Sequence, residues 1–260
     1  MKKMLMILMA LIMTFSMLTA TAEDAGDKQY VLDKGVLVVG ITDFAPMDYK
    51  DAEGNWIGFD ADLARAFALE LGVAVEFVEI DWDNKILELD GKAVDCIWNG
   101  MTLTDAVKNA MECSAPYMNN AQVVVVPADK ADQYQSVESL ADLAFAVEAG
   151  SAGEAEATAL GLNCTPVAAQ ADALMEVAAG TSDAAVIDAL MAAAMIGEGT
   201  NYAQLTYTIG LNSEEYGVGF RKGSDLAAAL NAFLAAAAQD GTLQQIAQTY
   251  GVQAALIQQY

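Results

Sequence analysis

Residues 36–40 read VLVVG, an uninterrupted apolar run that is typical of a β-strand buried on both of its faces. Residues 60–71 follow with apolar residues at helical spacing, and residues 73–80 then alternate apolar and acidic side chains as a strand does. A short helix at residues 84–89 and an apolar strand at residues 94–98 continue the series. This alternation predicts right-handed crossovers and a largely parallel sheet.

The same alternation of strands and helices is repeated in the rest of the chain. We predict strands at residues 122–126, 144–147, 184–187 and 216–220, and helices at residues 153–160, 171–178, 189–196, 224–240 and 242–250. Because the strand–helix alternation runs twice and no short repeat is present, we expect an α/β protein with two lobes rather than a solenoid.

Composition excludes several classes of protein. The chain has 260 residues, and its 12 Lys+Arg against 36 Asp+Glu give a formal charge of −24. A hydrophobic share of 55% excludes a disordered chain, and the length permits one large domain or two lobes of roughly 100–150 residues each. Nucleic-acid binding needs clustered Lys and Arg, so we expect no nucleic-acid partner. The chain contains no His, which excludes His-based catalysis and most zinc sites.

The first 22 residues have the pattern of a cleavable secretory signal peptide. Lys2 and Lys3 precede an apolar run at residues 4–18, and residues 20–22 give the small-x-small pattern that precedes cleavage. A membrane anchor is the alternative, but a spanning helix needs about 20 apolar residues. We therefore expect an exported, extracytoplasmic protein in the periplasm, at the cell surface or secreted.

The cysteine count leaves one redox question open. Three cysteines in an oxidising compartment leave at least one thiol unpaired. Cys96 and Cys113 could form a disulfide or remain neighbouring free thiols. No metal-ligand spacing accompanies them, so we assign them no catalytic role.

Five segments carry a resemblance to a known family. They are GFDADLA at residues 58–64, GMTLT at 100–104, SAPY at 114–117, YGVGFRKG at 216–223 and DGT at 240–242. Together, and in this order, they resemble the motifs of bacterial extracellular solute-binding proteins, family 3, the polar amino-acid-binding components of ABC transporters.

The resemblance implies a periplasmic-binding-protein-like clamshell of type II, with two hinge strands between its lobes. Lobe 1 would comprise residues 27–120 plus 216–260, and lobe 2 residues 121–215, with hinges near 122–126 and 208–215. The ligand would lie in the crevice at the carboxyl ends of the strands, where open α/β sheets bind ligands.

The resemblance also implies a function. The chain would be the extracytoplasmic binding component of an ABC importer, a monomer that binds an amino acid or a related amine-containing solute and presents it to a permease. It would need no cofactor, metal or catalytic residue and would not be an enzyme. The alternatives are an exported enzyme on the same fold, such as a dehydratase, and a ligand-sensing module.

Five positions match the ligand-binding residues of that family. Asp188 corresponds to the acid that binds the ammonium group, although Asp at this position could instead cap a helix. The carbonyl of Gly100 and the hydroxyl of Thr102 correspond to further acceptors, although a Thr there could only stabilise a turn. Phe44 and Trp82 correspond to aromatic walls, with core packing as the alternative.

The positions expected to bind the carboxylate of the ligand differ from the pattern of the family. Val107 occupies the position where these proteins usually have Arg, so a bidentate charged contact is missing. Residues 150–153 resemble the loop with which these proteins bind the carboxylate from lobe 2, and Ser151 and Ala152 in it would begin a helix, so backbone N–H groups there could bind an anion. Asn99 is a further candidate donor. Asp43 falls at the expected rim, where it would attract a cation or merely face solvent. The charge of the ligand stays open.

Overall fold

The structure is a computed structural model that describes residues 26–258. The signal peptide that we predict at residues 1–22 lies outside the described residues.

The described chain forms two successive α/β series and a return segment. The first series contains α1 (Asp27–Lys34), β1 (Val36–Ile41), β2 (Tyr49–Lys50), β3 (Trp56–Ile57), α2 (Phe59–Leu71), β4 (Ala74–Glu79), α3 (Lys85–Asp90), β5 (Cys96–Thr102), α4 (Asp105–Ala110), β6 (Glu112–Cys113) and β7 (Met118–Asn120). The second contains β8 (Gln122–Pro127), β9 (Ala144–Glu148), α5 (Ala152–Ala159), β10 (Asn163–Val167), α6 (Gln170–Ala179), β11 (Ala184–Asp188), α7 (Ala189–Met195) and β12 (Leu205–Gly210). The return contains β13 (Glu214–Phe220), α8 (Leu226–Asp240) and α9 (Thr242–Thr249).

Two main sheets organise the described residues. The first has the strand order β4-β1-β5-β13-β6, with β7 also pairing with β13. The second has the order β10-β9-β11-β8-β12. In each sheet three strands run parallel, whereas β13 in the first sheet and β8 and β12 in the second are antiparallel to their neighbours. We call each sheet with its helices a lobe, and the predicted two-lobed α/β architecture is confirmed.

Helix α2 shows how the sequence builds lobe 1. Leu63 and Phe67 lie one turn apart on its buried face, and the ring of Phe67 packs 6.2 Å from that of Trp98 in β5. Gly72 then ends the helix in the left-handed conformation, with φ of 75°, and its N–H donates to the carbonyl of Ala68. The helical spacing read from the sequence thus covers one face of the sheet.

The chain passes between the sheets at two places. Strand β7 pairs with β13 in lobe 1, and after the single residue Ala121 the chain enters β8 in lobe 2. It returns through residues 211–213, between β12 and β13. Residues 122–126, expected as one hinge, are paired on both sides within the lobe 2 sheet. We therefore propose the hinges at these two crossings rather than along β8.

Several elements were not predicted from the sequence, among them β10, β12 and α1. Strand β10 pairs only with β9, at the edge of its sheet, and its side chains are mostly exposed. An edge strand of this kind has neither an apolar run nor strict alternation, and Pro166 within it argues against a strand. Strand β12 is the opposite edge of the same sheet. Helix α1 has only one buried residue, Val31, so it lacks a clear apolar face.

Two further questions from the sequence concern disulfides and membranes. All three cysteines are free thiols in the structure, with Cys96 buried in β5 and Cys113 half-buried in β6. Within residues 26–258 we find no helix that combines the length and the apolar character needed to span a bilayer.

Candidate functional site

A cavity of about 250 Å³ lies between the two lobes. Its lining from lobe 1 includes the end of β5 and parts of α3 and α4, and its lining from lobe 2 includes the ends of β9 and β11 and the start of α5 and α6. Pockets for drug-sized ligands measure roughly 300–1,000 Å³, so this cavity suits a smaller solute. Its position at the carboxyl ends of the parallel strands agrees with the general rule for open α/β sheets.

The structure brings eight of the nine candidate residues to this cavity. They are Phe44, Trp82, Asn99, Gly100, Thr102, Ser151, Ala152 and Asp188. Asp43 is exposed and does not line the cavity. Consecutive residues of an extended chain point to opposite sides, so the neighbouring Phe44, which is buried, turns Asp43 outward. We therefore remove Asp43 from the set of expected ligand contacts.

Asp188 is the best-anchored of the polar candidates. It ends strand β11 and is 4% exposed. One carboxylate oxygen accepts hydrogen bonds from the Tyr216 hydroxyl at 2.6 Å, from the Gln122 amide at 3.1 Å and from the Asn120 amide, and the other accepts from the Gln170 amide. Burial, followed by the nearby charge of Glu214, raises the pKa of Asp188 to about 8.

The capping alternative for Asp188 gains no support. Asp188 does occupy the N-cap position of α7, but its side chain makes no hydrogen bond to the first turn of that helix. The carboxylate instead lies in a buried network beside the cavity, in which neutral donors hold it and two of them, Asn120 and Gln122, also donate to Glu214.

Gly100 and Thr102 form the lobe 1 floor of the cavity. The N–H of Gly100 donates to Asp60 at 2.6 Å, and its φ is +54°. A side chain at this position would meet the ring of Phe44 at 2.5 Å, so only Gly lets the strand pass beside that aromatic wall. The hydroxyl of Thr102 donates to Glu214 at 2.9 Å, which leaves its oxygen as an acceptor.

Asn99 has no donor left for a ligand. Its amide nitrogen donates to the carbonyl of Thr42 at 3.1 Å and to Asp48 at 2.7 Å. Its amide oxygen accepts from the backbone N–H and the hydroxyl of Thr42. Because both N–H groups are used, we propose that Asn99 fixes β5 against the end of β1 rather than replacing the missing Arg.

The two aromatic candidates serve both as core and as cavity wall. Phe44 is 3% exposed and packs edge-to-face on Tyr216, with ring centroids 6.3 Å apart. Trp82 is 7% exposed and opens a short 3₁₀ turn at Trp82–Asn84. Asp81 caps that turn by accepting from the N–H of Asp83 at 3.2 Å. The carboxylate of Asp81 therefore stabilises the turn that brings the indole of Trp82 to the cavity.

Side chains of the protein already accept some of the backbone N–H hydrogen bonds at the start of α5. The hydroxyl of Ser151 caps the helix by accepting from the N–H of Glu154 at 3.0 Å. The carboxylate of Glu154 in turn accepts from the N–H of Gly150 at 2.7 Å. This carboxylate neutralises part of the positive helix end, so the loop offers an anion less than the sequence implied. The first-turn N–H groups at Ala152 and Gly153 have no partner within the helix.

Sequence reasoning missed two charged residues that line the cavity. Glu148, the last residue of β9, is 3% exposed, and one of its carboxylate oxygens has no hydrogen-bond partner among the described residues. Burial, followed by the charge of Asp188, raises its pKa to about 8. Lys85, the first residue of α3, is 8% exposed, and burial lowers its pKa. A lone acid at the carboxyl end of the apolar run AFAVE was the signal that could have identified Glu148.

The cavity residues suit a small polar solute better than a metal ion. Among residues 26–258, no three Cys, Asp or Glu side chains are grouped closely enough to hold a metal. The lining instead combines two carboxylates, one ammonium group, two aromatic walls and several backbone groups.

Comparison with known proteins places the chain among binding proteins. A sequence model of the bacterial extracellular solute-binding proteins, family 3, matches residues 37–253. The arginine-binding extracellular protein ArtP of Bacillus subtilis is 28% identical over 253 residues, covering 95% of this chain and 96% of that protein. The L-cystine-binding protein TcyJ of Escherichia coli K12 is 26% identical over 250 residues, covering 95% and 94%.

Solved structures give the same picture. The P235GK mutant of ArgBP from T. maritima superposes with a TM-score of 0.81 at 31% identity, covering 86% of this chain and 98% of that chain. The ancestral amino-acid-binding protein AncCDT-1, a precursor of cyclohexadienyl dehydratase, superposes with a TM-score of 0.78 at 34% identity, covering 86% and 98%. A cyclohexadienyl dehydratase of Pseudomonas aeruginosa is 26% identical over 111 residues, covering 42% of this chain and 41% of the enzyme.

Proposed function

This chain belongs to the bacterial extracellular solute-binding proteins, family 3, and we propose that it is the substrate-binding component of an ABC importer. Its ligand is an amino acid or a related small solute with an amino group, held in the cavity between the lobes. The observation that carries the proposal is the buried carboxylate of Asp188, which lines that cavity, accepts hydrogen bonds from four neutral donors and has a second carboxylate, Glu214, nearby.

The amino group binds where acceptors converge. An ammonium group has three hydrogens to donate and requires acceptors in a dry site. Asp188 supplies the charge, the hydroxyl oxygen of Thr102 and the carbonyl of Gly100 supply further acceptors, and Phe44 and Trp82 enclose the rest of the solute. A buried ammonium group restores the negative charge of Asp188 by favouring its ionised form.

Lobe closure follows from the same geometry. The acceptors lie on both lobes, so a ligand makes all its contacts only when the lobes are together. This difference in affinity between open and closed forms shifts the equilibrium to the closed form, which a membrane permease would recognise. The crossings at Ala121 and residues 211–213 would bend.

We propose a cationic amino acid as the first ligand to test. Glu148 and Asp188 outnumber Lys85 among the charged residues that line the cavity, and aromatic walls hold cations well. Two of the relatives are named for arginine and cystine. L-arginine is therefore the first probe, followed by L-lysine, L-histidine, L-glutamine and L-cystine.

Isothermal titration calorimetry of the purified chain tests the proposal. We expect saturable one-to-one binding of at least one of these amino acids, with a negative heat-capacity change from burial of apolar walls. If none binds to the folded protein while an unrelated solute does, the amino-acid assignment is wrong.

Export and partnership complete the proposal. We propose that residues 1–22 are removed on export, that the chain acts as a monomer outside the cytoplasm, and that a permease in the membrane receives its ligand. N-terminal sequencing of the exported protein tests the cleavage, and light scattering tests the monomer.

We further propose that the chain binds its ligand without turnover. The relationship to a cyclohexadienyl dehydratase gives this proposal a direct test, because Glu148 is a buried acid that could donate a proton. Incubation with the substrates of such a dehydratase should return them unchanged by mass spectrometry. Product formation that disappears in Glu148→Gln would instead identify an enzyme.

A further inference from the structure

We propose that Lys85 binds the negatively charged group of the ligand, so that the cavity selects a solute with a free carboxylate. This inference rests on the function proposed above and names the residue that replaces the charged contact missing at Val107.

Lys85 is the one cationic side chain among the described residues that line the cavity. Val107 also lines the cavity, but its side chain offers no donor. Any charge-assisted contact from a side chain to an anionic ligand must therefore come from Lys85.

The ammonium group of Lys85 lies between the lobes. It donates to the carbonyl of Trp82 in lobe 1 at 3.1 Å and to the carbonyl of Gly150 in lobe 2 at 2.9 Å. An ammonium group has three hydrogens, so one remains for a further acceptor. Its nitrogen also lies 4.9 Å from the centre of the Trp82 ring.

Among residues 26–258 this buried cation has no carboxylate in direct contact, although the charges of Glu148, Asp83 and Glu154 act on it from further away. Lys residues are almost never fully buried unless they are paired. Lys85 is only 8% exposed, yet within residues 26–258 no carboxylate forms an ion pair with it at 4 Å or less. The carbonyl acceptors are neutral, so the charge itself is not matched by any direct protein contact.

Lobe 2 contributes a buried acidic side chain that lacks a hydrogen-bond partner for one of its oxygens. Glu148 lines the same cavity, and one of its oxygens is buried without a hydrogen-bond partner. The two residues influence each other electrostatically from opposite lobes without direct contact. A zwitterion placed between them satisfies both, with its carboxylate at Lys85 and its ammonium group toward Glu148 and Asp188.

The competing explanation is purely structural. Lys85 could serve only to join the lobes through the carbonyl of Gly150. Loss of such a contact would weaken every ligand equally, whereas loss of a carboxylate partner weakens only ligands with a free carboxylate.

The test is a thermodynamic cycle in which the affinities of two ligands, with and without the carboxylate, are compared in wild-type protein and in variants. The affinity of L-arginine is compared with that of L-argininamide, which lacks the negative charge, at slightly acid pH, where both α-amines are protonated. If another amino acid of the panel binds more tightly, that amino acid and its α-amide are used. The protein variants are Lys85→Met and Lys85→Arg, with Lys108→Met as the matched control because Lys108 is exposed and does not line this cavity.

We expect wild type and Lys108→Met to prefer the acid over the amide by roughly 30-fold or more, as for a buried charge pair that loses one partner. Lys85→Met should reduce this preference to less than about threefold by weakening the acid alone, and Lys85→Arg should retain it. A preference that survives in Lys85→Met overturns the inference, and so does a wild-type protein that binds both ligands equally, a result that needs no variant to fold. Absence of binding by any amino acid overturns the proposed function together with the inference.

Discussion

Asp188 shows how a protein can keep a buried carboxylate ready for a cation. Four neutral donors hold its two oxygens in place, and a ring hydroxyl is among them. Neutral hydrogen bonds orient the group, but they compensate only in part for removing a charge from water. The raised pKa of Asp188 expresses this remaining cost. A ligand ammonium group would remove it, so the site is oriented before binding and completed by it.

Replacing Asp188 tests this arrangement. Asp188→Asn keeps the shape of the side chain but removes its charge, so affinity for the amino acid should fall by about 2–5 kcal/mol, as when one partner of a buried charge pair is lost. Calorimetry measures the loss, and Asp142→Asn, which removes an exposed carboxylate from the same lobe, should leave affinity unchanged. Equal affinities for the two variants would show that Asp188 does not contact the ligand.

The raised pKa values predict how stability depends on pH. Glu148 moves from 4.5 to about 8 and Asp188 from 3.8 to about 8. Between these limits the folded chain binds more protons than the unfolded chain, so the free energy of unfolding should fall as pH rises from about 4 to about 8. Urea unfolding without ligand at several pH values measures this slope, and it should be shallower in Glu148→Gln. A stability that rises across this window would contradict the assignment.

The residue scale also separates what the sequence could predict from what it could not. Asp188 and Trp82 could be proposed because the family resemblance extends to these positions, and a strand end and an acidic turn also mark them locally. The engagement of Asn99 was invisible, since its partners Thr42 and Asp48 lie 57 and 51 positions away. Lys85 was missed because one Lys in a polar segment carries no local signal. Its burial arises only when the second lobe covers it.

At the scale of elements, Arg221 joins the return strand to the rest of lobe 1. It ends the motif YGVGFR just after β13, and its guanidinium group donates to Asp27 in α1 at 3.0 Å, to the carbonyl of Val94 at 2.8 Å and to Asp95 at 3.4 Å. Asp95 is fully buried and also accepts from the N–H of Val38 at 2.8 Å. Arg221 thus connects the end of β13 to α1 and to the residues just before β5, and it does not line the cavity.

Removing this guanidinium group should destabilise lobe 1. Arg221→Met leaves Asp95 with less compensation for its buried charge, and the loss of one partner of a buried pair costs about 3–5 kcal/mol. Chemical denaturation measures the change, with Lys108→Met as a control that removes an exposed cation from the same lobe. A loss no larger than that of the control would show that Lys34, which also pairs with Asp95, is sufficient.

Central strands could be predicted from their own residues more easily than the edge strand β12. The central strands β1, β5, β8 and β11 could be predicted because burial on both faces requires continuous apolar runs. The edge strand β12 was taken for part of a hinge, because an edge needs no such run and its bulge near Tyr207 and Gly210 interrupts the pairing. Strand β4, which is also an edge, could be predicted because its residues alternate, so an edge strand is missed where this alternation is absent as well.

At the scale of the whole molecule, one glycine of lobe 2, Gly150, lies in close contact with lobe 1. Gly150 in lobe 2 accepts the hydrogen bond from Lys85 and lies against Asp83 in lobe 1. A Cβ at Gly150 would lie 2.8 Å from the Cα of Asp83, and backbone at this distance cannot yield without moving a lobe. In the lobe movement proposed above, this structure would be the closed arrangement, and this contact would limit how closely the lobes approach.

Gly150→Ala should consequently hold the lobes apart. Gly161 is the matched control because it lies in the same lobe with φ of +72°, against +69° for Gly150, and a Cβ added there would meet no atom within 4 Å. Both variants carry the left-handed backbone cost of about 1–2 kcal/mol, so their urea midpoints should be similar. Only Gly150→Ala should lose a further ~1–3 kcal/mol of ligand affinity through the clash, and small-angle scattering should show less compaction on adding L-arginine. If both variants bind and compact alike, closure does not bring Gly150 against Asp83.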